Sequence, residues 1–192
     1  MAVEIDLHLA AALARRFPEI EVVAGDARRV LLPQEPFKVV ANLPFSGATA
    51  ILRRLLDPGV RLRSADVIVD WHVASKRAAV WPSTELSTYW GAWFELSVVR
   101  RLARSAFAPP PAVDAGVLRV VRRAEPFVRI RERRRYAAFL ARGYRYGLRA
   151  VVPRRQLKSH ADHLGFEHGA QPRDLDGRQW AELYAEVVRR LG

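Results

Sequence analysis

The sequence predicts an α/β protein: a doubly wound, mostly parallel sheet with an antiparallel finish, followed by a small helical C-terminal domain. Three observations predict it. Up to residue 122, apolar runs of strand length alternate with helix-spaced segments, the pattern of a parallel sheet built from βα units. Beyond Arg123 no strand-like run remains, and three segments have helical spacing. Half of the 192 residues are apolar, enough to build a core rather than leave the chain disordered. The expected boundary lies near Glu125-Pro126, giving a first domain over residues 1–124 and a helical one over 125–192.

Taken in order, Ala2-Val3-Glu4-Ile5 reads as the end of a strand, and Leu7 to Phe17 as an alanine- and leucine-rich helix. Ile20 to Val23 is a short strand that stops at Gly25-Asp26. Phe37 to Ala41 is apolar apart from Lys38, as expected of a strand covered on both faces. Thr49 to Leu56 is a helix closed by Asp57-Pro58-Gly59; Asp66 to Val69 is a further buried strand, and Val73 to Val80 a further helix. Trp93 to Val99 and Ala115 to Val121 read as strands facing each other across a proline-rich loop. The C-terminal helices are expected over Glu132–Tyr146, Arg154–Leu164 and Asp176–Leu191. Trp81, Trp90, Trp93 and Trp180 are expected in the core or at the domain junction, where large indoles bury well. An open sheet that binds a nucleoside normally begins with a strand and a glycine-rich turn, and an acid follows about 20 residues later. Here Glu4 already ends what reads as the second strand, so the sheet is expected to lack its first strand and that loop.

Composition narrows the chemistry. No run of about 18 apolar residues is present to span a membrane, and nothing at the N-terminus has the regions of a signal peptide, so a cytoplasmic location is expected. The absence of cysteine excludes disulfides, thiolate nucleophiles and zinc–thiolate sites. Five histidines are scattered, and His160 and His163 lack a carboxylate motif around them, so no metal is expected. The formal charge is +12, and it is segregated. Arg100 to Lys158 holds 17 basic residues against Asp114, Glu125 and Glu132, a net of +14, which leaves −2 for the rest. A near-neutral front and a basic back point to a catalytic module joined to a surface that grips a polyanion. Arg131, Arg133, Arg134 and Arg135 are the leading candidates for phosphate contact.

Three segments carry candidate chemistry. Glu4, at a strand end, offers a carboxylate able to accept both ribose hydroxyls of an adenosine. Asp26, in Gly25-Asp26-Ala27, offers an acceptor for an adenine amino group, although Gly-Asp is also ordinary turn chemistry. Asn42-Leu43-Pro44-Phe45 is the most specific. Methylating an exocyclic amine conjugated into a purine requires its lone pair to be oriented. The Asn42 amide oxygen and a neighbouring backbone carbonyl can accept both amino hydrogens. Pro44 stiffens the loop, and Phe45 offers a ring face for an extruded base. Acid after one strand, acid after the next, and Asn-Leu-Pro-Phe after the third is the layout of a class I, Rossmann-like amino-methyltransferase.

Together with Phe107-Ala-Pro-Pro-Pro-Ala-Val-Asp114-Ala115 and Val117-Leu118, the Asn42–Phe45 motif resembles the rRNA adenine-N6 methyltransferases. These comprise the Erm macrolide-resistance enzymes and the small-subunit dimethyladenosine transferases. Pro172-Arg173-Asp174-Leu175, Gln179-Trp180, Trp90, Trp93 and Phe94 look more like actinobacterial Erm proteins. The resemblance implies S-adenosylmethionine as cofactor, with Glu4 on its ribose, Ile5 packed on its adenine, and Asp26 with Ala27 at the adenine amino group. It implies that Asn42, Leu43 and Pro44 position the target amine, while Phe45 and Phe107 sandwich the target base. The substrate implied is an adenine in 23S rRNA. The outcome implied is resistance to macrolide, lincosamide and streptogramin B antibiotics, from a protein expected to be a monomer without metal.

Two departures accompany it. Asp70-Trp71-His72 stands where actinobacterial relatives usually have Gln-Trp-Glu, a stretch that supports the sheet and bears on RNA docking. Relatives also read Val-Ala-Val-Glu where this chain has Met1-Ala2-Val3-Glu4, so an internal GTG codon read as an initiator is the expected origin of Met1. As written, without the glycine-rich loop, the chain is not expected to hold the cofactor or catalyse unaided. The alternatives are a small-subunit rRNA dimethyladenosine transferase, an inactive RNA-binding remnant, or a relic that fails to fold.

Overall fold

The computed structural model describes residues 1–189, the side chain of Arg189 excepted. Six strands and four α-helices lie in the first 122 residues, in the expected order but for one added helix, α4. These are β1 (Ala2–Glu4), α1 (Leu7–Arg16), β2 (Val22–Ala24), β3 (Phe37–Asn42), α2 (Ala48–Leu55), β4 (Leu62–Asp70), α3 (Trp71–Ala78), α4 (Glu85–Gly91), β5 (Phe94–Leu102) and β6 (Ala115–Arg122). Helices α5 (Arg133–Tyr146), α6 (Arg154–Leu164) and α7 (Gly177–Arg189) complete the chain, and the expected continuation of the last helix to Leu191 lies outside the described residues.

Local chemistry sets the boundaries. Asp6 caps α1 by accepting from the His8 and Leu9 amides, and Asp70 caps α3 by accepting from Val73. Helix α2 buries Ala48, Ile51, Leu52 and Leu55, the i, i+3, i+4, i+7 stripe of a helix lying on a sheet. Helix α5 buries Tyr136, Leu140 and Gly143 on the same logic, and α6 stops at Gly165, whose φ of 71° suits a residue without Cβ. Helix α4 has no periodic signature in the sequence. It starts on a capping box in which Thr84 and Ser87 exchange side-chain-to-backbone bonds.

The strands form two sheets. β1 and β2 pair in parallel, Glu4 opposite Ala24. The second sheet has the order β3-β4-β6-β5, with β3 and β4 parallel and β4, β6 and β5 antiparallel in turn. Leu62 and the alternating Ala65, Val67 and Val69 of β4, with Leu118 and Val120 of β6, are buried with the α2 stripe. The same cluster continues into Tyr136, Leu140, Trp180 and Leu183 of the C-terminal helices. Within it Tyr136 lies edge-on to Trp93 at 5.8 Å and to Tyr184 at 5.3 Å, while Tyr144 stacks on Trp180 at 5.3 Å.

One expectation is corrected and one is refined. β3 is not covered on both faces: Lys38, Val40 and Asn42 are exposed, Val40 to 88%. Among the described residues β3 has β4 as its only strand neighbour, and α2 covers one face only. Of the four tryptophans expected in the core or at the junction, Trp90, Trp93 and Trp180 are fully buried, while Trp81 is 60% exposed and sits at the junction, its indole N–H donating to the carbonyl of Asp174 in the C-terminal region at 3.0 Å.

Candidate active site

The strand register decides which loops meet. Asn42 is opposite Ile68 on β4, and two residues on, Asp70 is opposite Ala115 on β6, which is in turn opposite Leu102 on β5. The Asn42–Phe45 turn, the start of α3 and the whole 103–114 loop therefore emerge at one end of the four-stranded sheet. In a sheet of this kind ligands gather at the carboxyl ends of the parallel strands. At the corresponding end of the small sheet, Gly25 donates to the Glu4 carbonyl at 2.8 Å, so Glu4 and the Gly25-Asp26-Ala27 turn are neighbours. Arg54, in the last turn of α2, donates to the Ala27 carbonyl at 3.2 Å and to the Val30 carbonyl, fixing the segment after that turn to the helix.

Each candidate side chain has a distinct environment. Asn42 is exposed, and its amide makes no hydrogen bond among the described residues, so its oxygen and nitrogen are free for a ligand. Leu43 is anchored: it is buried, and its N–H donates to the Ile68 carbonyl at 3.0 Å. Pro44 accepts from Gly47 at 2.9 Å, closing the turn that leads into α2, with Phe45 half-buried inside it. Glu4 is half-buried; one of its oxygens accepts from the Asp6 amide at 2.9 Å. Ile5 beside it is exposed. Asp26 is gripped by Arg28, whose Nε reaches both carboxylate oxygens at 3.0 and 2.9 Å and whose amide donates at 2.8 Å. The Arg28 side-chain hydrogen bonds hold the Asp26 carboxyl down from 3.8 to about 2. A second Arg28 guanidinium nitrogen lies 2.7 Å from the other oxygen, so Arg28 meets all of the roughly four lone-pair sites and a further donor would have to share an oxygen with it.

The 103–114 loop is held by Asp114, a role that sequence reading did not assign. One carboxylate oxygen accepts from Arg101 Nε at 3.0 Å and from a second Arg101 nitrogen at 2.8 Å; the other accepts from the Arg104 amide at 3.1 Å. The Arg104 amide, then Arg101, lower the Asp114 pKa. The Asp114 carbonyl accepts from the Trp71 amide at 2.9 Å, and the Arg101 guanidinium lies 4.7 Å over the Trp71 ring. Phe107, half-buried, closes the single turn within this loop by donating to the Arg104 carbonyl at 3.2 Å. Trp71 and Ala74 also crowd Gly116, where an added Cβ would come within 2.7 Å of the Ala74 methyl. The Asp70-Trp71-His72 departure is thus a helix cap and a loop buttress, with His72 exposed.

Arg131, Arg134 and Arg135 are exposed and make no ion pair among the described residues; Arg133 is half-buried and donates to the Ile130 carbonyl at 3.3 Å. His160 and His163, without a local carboxylate in the sequence, share Glu186 of α7: His160 Nδ1 bonds one of its oxygens and His163 Nε2 lies 3.5 Å from the other. No group of three or more metal-binding side chains occurs among the described residues, and no helix is long and apolar enough to cross a membrane.

The profile of the family described as ribosomal RNA adenine dimethylase matches residues 1–142. The chain belongs to that family. It is 34% identical over 200 residues to the mycinamicin-resistance protein MyrB of Micromonospora griseorubida, covering 100% of this chain and 63% of that protein. It is 38% identical over 149 residues to an rRNA adenine N-6-methyltransferase of Corynebacterium diphtheriae, covering 74% of this chain and 58% of that one. The crystal structure of the 23S rRNA methyltransferase ErmE superposes with a TM-score of 0.84 at 28% identity, over 97% of this chain and 80% of that one. The chain thus spans about three-fifths of the length of these two sequence relatives. Membership fits the resemblance of the Asn42–Phe45 and 107–115 segments, and the α/β sheet with its helical C-terminal region is the fold of ErmE.

Proposed function

We propose that the protein containing this chain transfers a methyl group from S-adenosylmethionine to N6 of an adenine in 23S rRNA, giving resistance to macrolide, lincosamide and streptogramin B antibiotics. The observation that carries the reading is the convergence of the free Asn42 amide and the Phe107 loop at the carboxyl end of the sheet. The cofactor supplies an electrophilic methyl on its sulfonium. Glu4 would accept from its ribose hydroxyls, Ile5 would cover its adenine, and Asp26 with the Ala27 backbone would meet the adenine amino group. The residues present fit that group: Glu4 and Asp26 are carboxylates at adjoining strand ends, and Ile5 is an exposed apolar side chain beside them.

Asn42 Oδ1 would accept one hydrogen of the target amine and a carbonyl of the Leu43-Pro44 turn the other. The nitrogen lone pair is then turned out of conjugation and toward the methyl. Leu43, pinned to Ile68, keeps that turn from yielding. Phe45 and Phe107 would stack on the two faces of an adenine drawn out of an unpaired loop. As the N–C bond forms and the C–S bond breaks, the amine becomes cationic and sheds a proton to water. Orientation rather than a strong base is what the step needs. Arg131, Arg133, Arg134 and Arg135 of the helical region, residues 125–192, would contact phosphates, in a cytoplasmic, metal-free monomer. The similarity to MyrB, a resistance protein, and to ErmE supports 23S rather than 16S rRNA.

The test is incubation of the natively expressed protein with isotopically labelled S-adenosylmethionine and deproteinised 23S or 16S rRNA. The reading expects label in 23S rRNA alone. Label confined to 16S rRNA would assign the small-subunit activity instead, and RNA retention without transfer would leave an RNA-binding remnant.

A further inference from the structure

The last turn of α5 carries a feature that the methylation reading does not use. Tyr146 is 65% exposed, the most exposed aromatic side chain among the described residues, and its hydroxyl makes no hydrogen bond among them. The Arg145 guanidinium lies 5.2 Å from the centre of its ring. Ala141, Arg142 and Ala150 complete an open groove beside it. Arg142, Arg145 and Arg149 are exposed and have no carboxylate partner among the described residues. From Arg129 to Lys158 there are eleven basic residues and one acid, Glu132.

A tyrosine ring left in water at the end of a helix keeps a face free to stack on a partner. The neighbouring tyrosines show the contrast. Tyr136 is fully buried, and Tyr144 is stacked on Trp180 and hydrogen-bonded to Ser83 and Thr88. Tyr146 alone of the three points away from the core. The two alanines beside it are small enough to leave room for a flat group against the ring. The partner that matches a free aromatic face ringed by unpaired guanidiniums is a single-stranded nucleic acid, whose bases stack while its phosphates meet the arginines. A duplex does not match, because its bases are already stacked.

We propose that Tyr146, with Arg142 and Arg145, forms a second base-stacking site, which holds an unpaired nucleotide of the RNA substrate apart from the target adenine. This rests on the proposed RNA substrate and adds a contact outside the reacting site. Arg145 covers one side of the ring and polarises it, leaving the other side for the base. The site would favour RNA in which a second unpaired nucleotide accompanies the target loop.

The test is fluorescence anisotropy of the natively expressed protein with a labelled single-stranded RNA and with a hairpin stem of equal charge. Tyr146→Ala should weaken single-strand binding about tenfold and leave the stem within about twofold, while Tyr146→Phe should keep both within about twofold. Arg145→Ala should weaken both probes and lower the salt slope by about one. Tyr146 is exposed, so loss of folding does not confound these variants. An equal loss for both probes, or none for either, overturns the stacking site while leaving the methylation reading intact. A wild-type protein that binds neither probe overturns both readings.

Discussion

Gly143→Ala is expected to destabilise the protein, although alanine is the better helix former. Gly143 lies in α5 against the six-membered ring of Trp180, and a Cβ there would overlap Cη2 and come within 2.9 Å of Cζ3. The indole cannot retreat. Tyr144 stacks on it at 5.3 Å, Phe139 meets it edge-on at 5.9 Å, and its N–H donates to the Pro172 carbonyl at 3.0 Å. Alanine gains about 1 kcal/mol of helix propensity. Overpacking costs about 1–3 kcal/mol, and a pinned neighbour puts this site at the upper end. The net loss is about 1–2 kcal/mol, which for a chain of this size lowers Tm by about 2–8 °C. Scanning calorimetry reads it directly. In a Trp180→Leu background the clash disappears, so Gly143→Ala should become neutral or stabilising, and the coupling between the two sites is the signature. An unchanged or raised Tm for Gly143→Ala in the native background would refute the packing argument.

Three further outcomes follow from the same geometry. Tyr136→Phe should leave Tm unchanged or raise it, because the buried Tyr136 hydroxyl has no partner, while Tyr144→Phe should cost about 1–3 kcal/mol by stranding Thr88; paired thermal melts compare them. The Arg28 clamp on Asp26 stabilises the fold fully above the ordinary carboxylate value of 3.8 and is lost as pH falls toward 2. NMR titration should therefore show the Asp26 carboxyl returning to its ordinary value in Arg28→Ala, and an unmoved titration would contradict the clamp. Asp114→Ala should release the 103–114 loop, with faster hydrogen exchange at the Arg104 amide and its neighbours; protection equal to wild type would show that Asp114 does not hold the loop.

Most elements were legible because each buries a face whose period is written locally. The α2 stripe, the alternation along β4 and the order of acids and the Asn42 turn at successive strand ends needed no knowledge of distant contacts. What escaped was nonlocal or unusually short. Helix α4 spans seven residues and caps with Ser87 in place of the usual glutamate or glutamine, so neither period nor motif announced it. The exposure of Val40 depends on what lies beside β3, which the apolar run itself does not encode. Glu186 is 26 positions from His160, and only the packing of α6 on α7 brings them together. At the site, residue identity was legible and restraint was not. Asp26 read as a free acceptor, whereas Arg28 holds it. Asp114 read as part of a motif, whereas it anchors the loop that carries Phe107.

In the proposed reaction Asn42 orients an adenine amine of 23S rRNA for methyl transfer. The most direct measurement is mass-spectrometric mapping of 23S rRNA after reaction with the natively expressed protein and with its Asn42→Ala variant, both checked for a native melt. The wild-type protein should yield N6-methyladenosine at an unpaired adenine, and the variant a rate lower by about 100-fold or more. A variant that methylates as fast as wild type, or a methyl group found on a position other than N6, would contradict the proposed reaction.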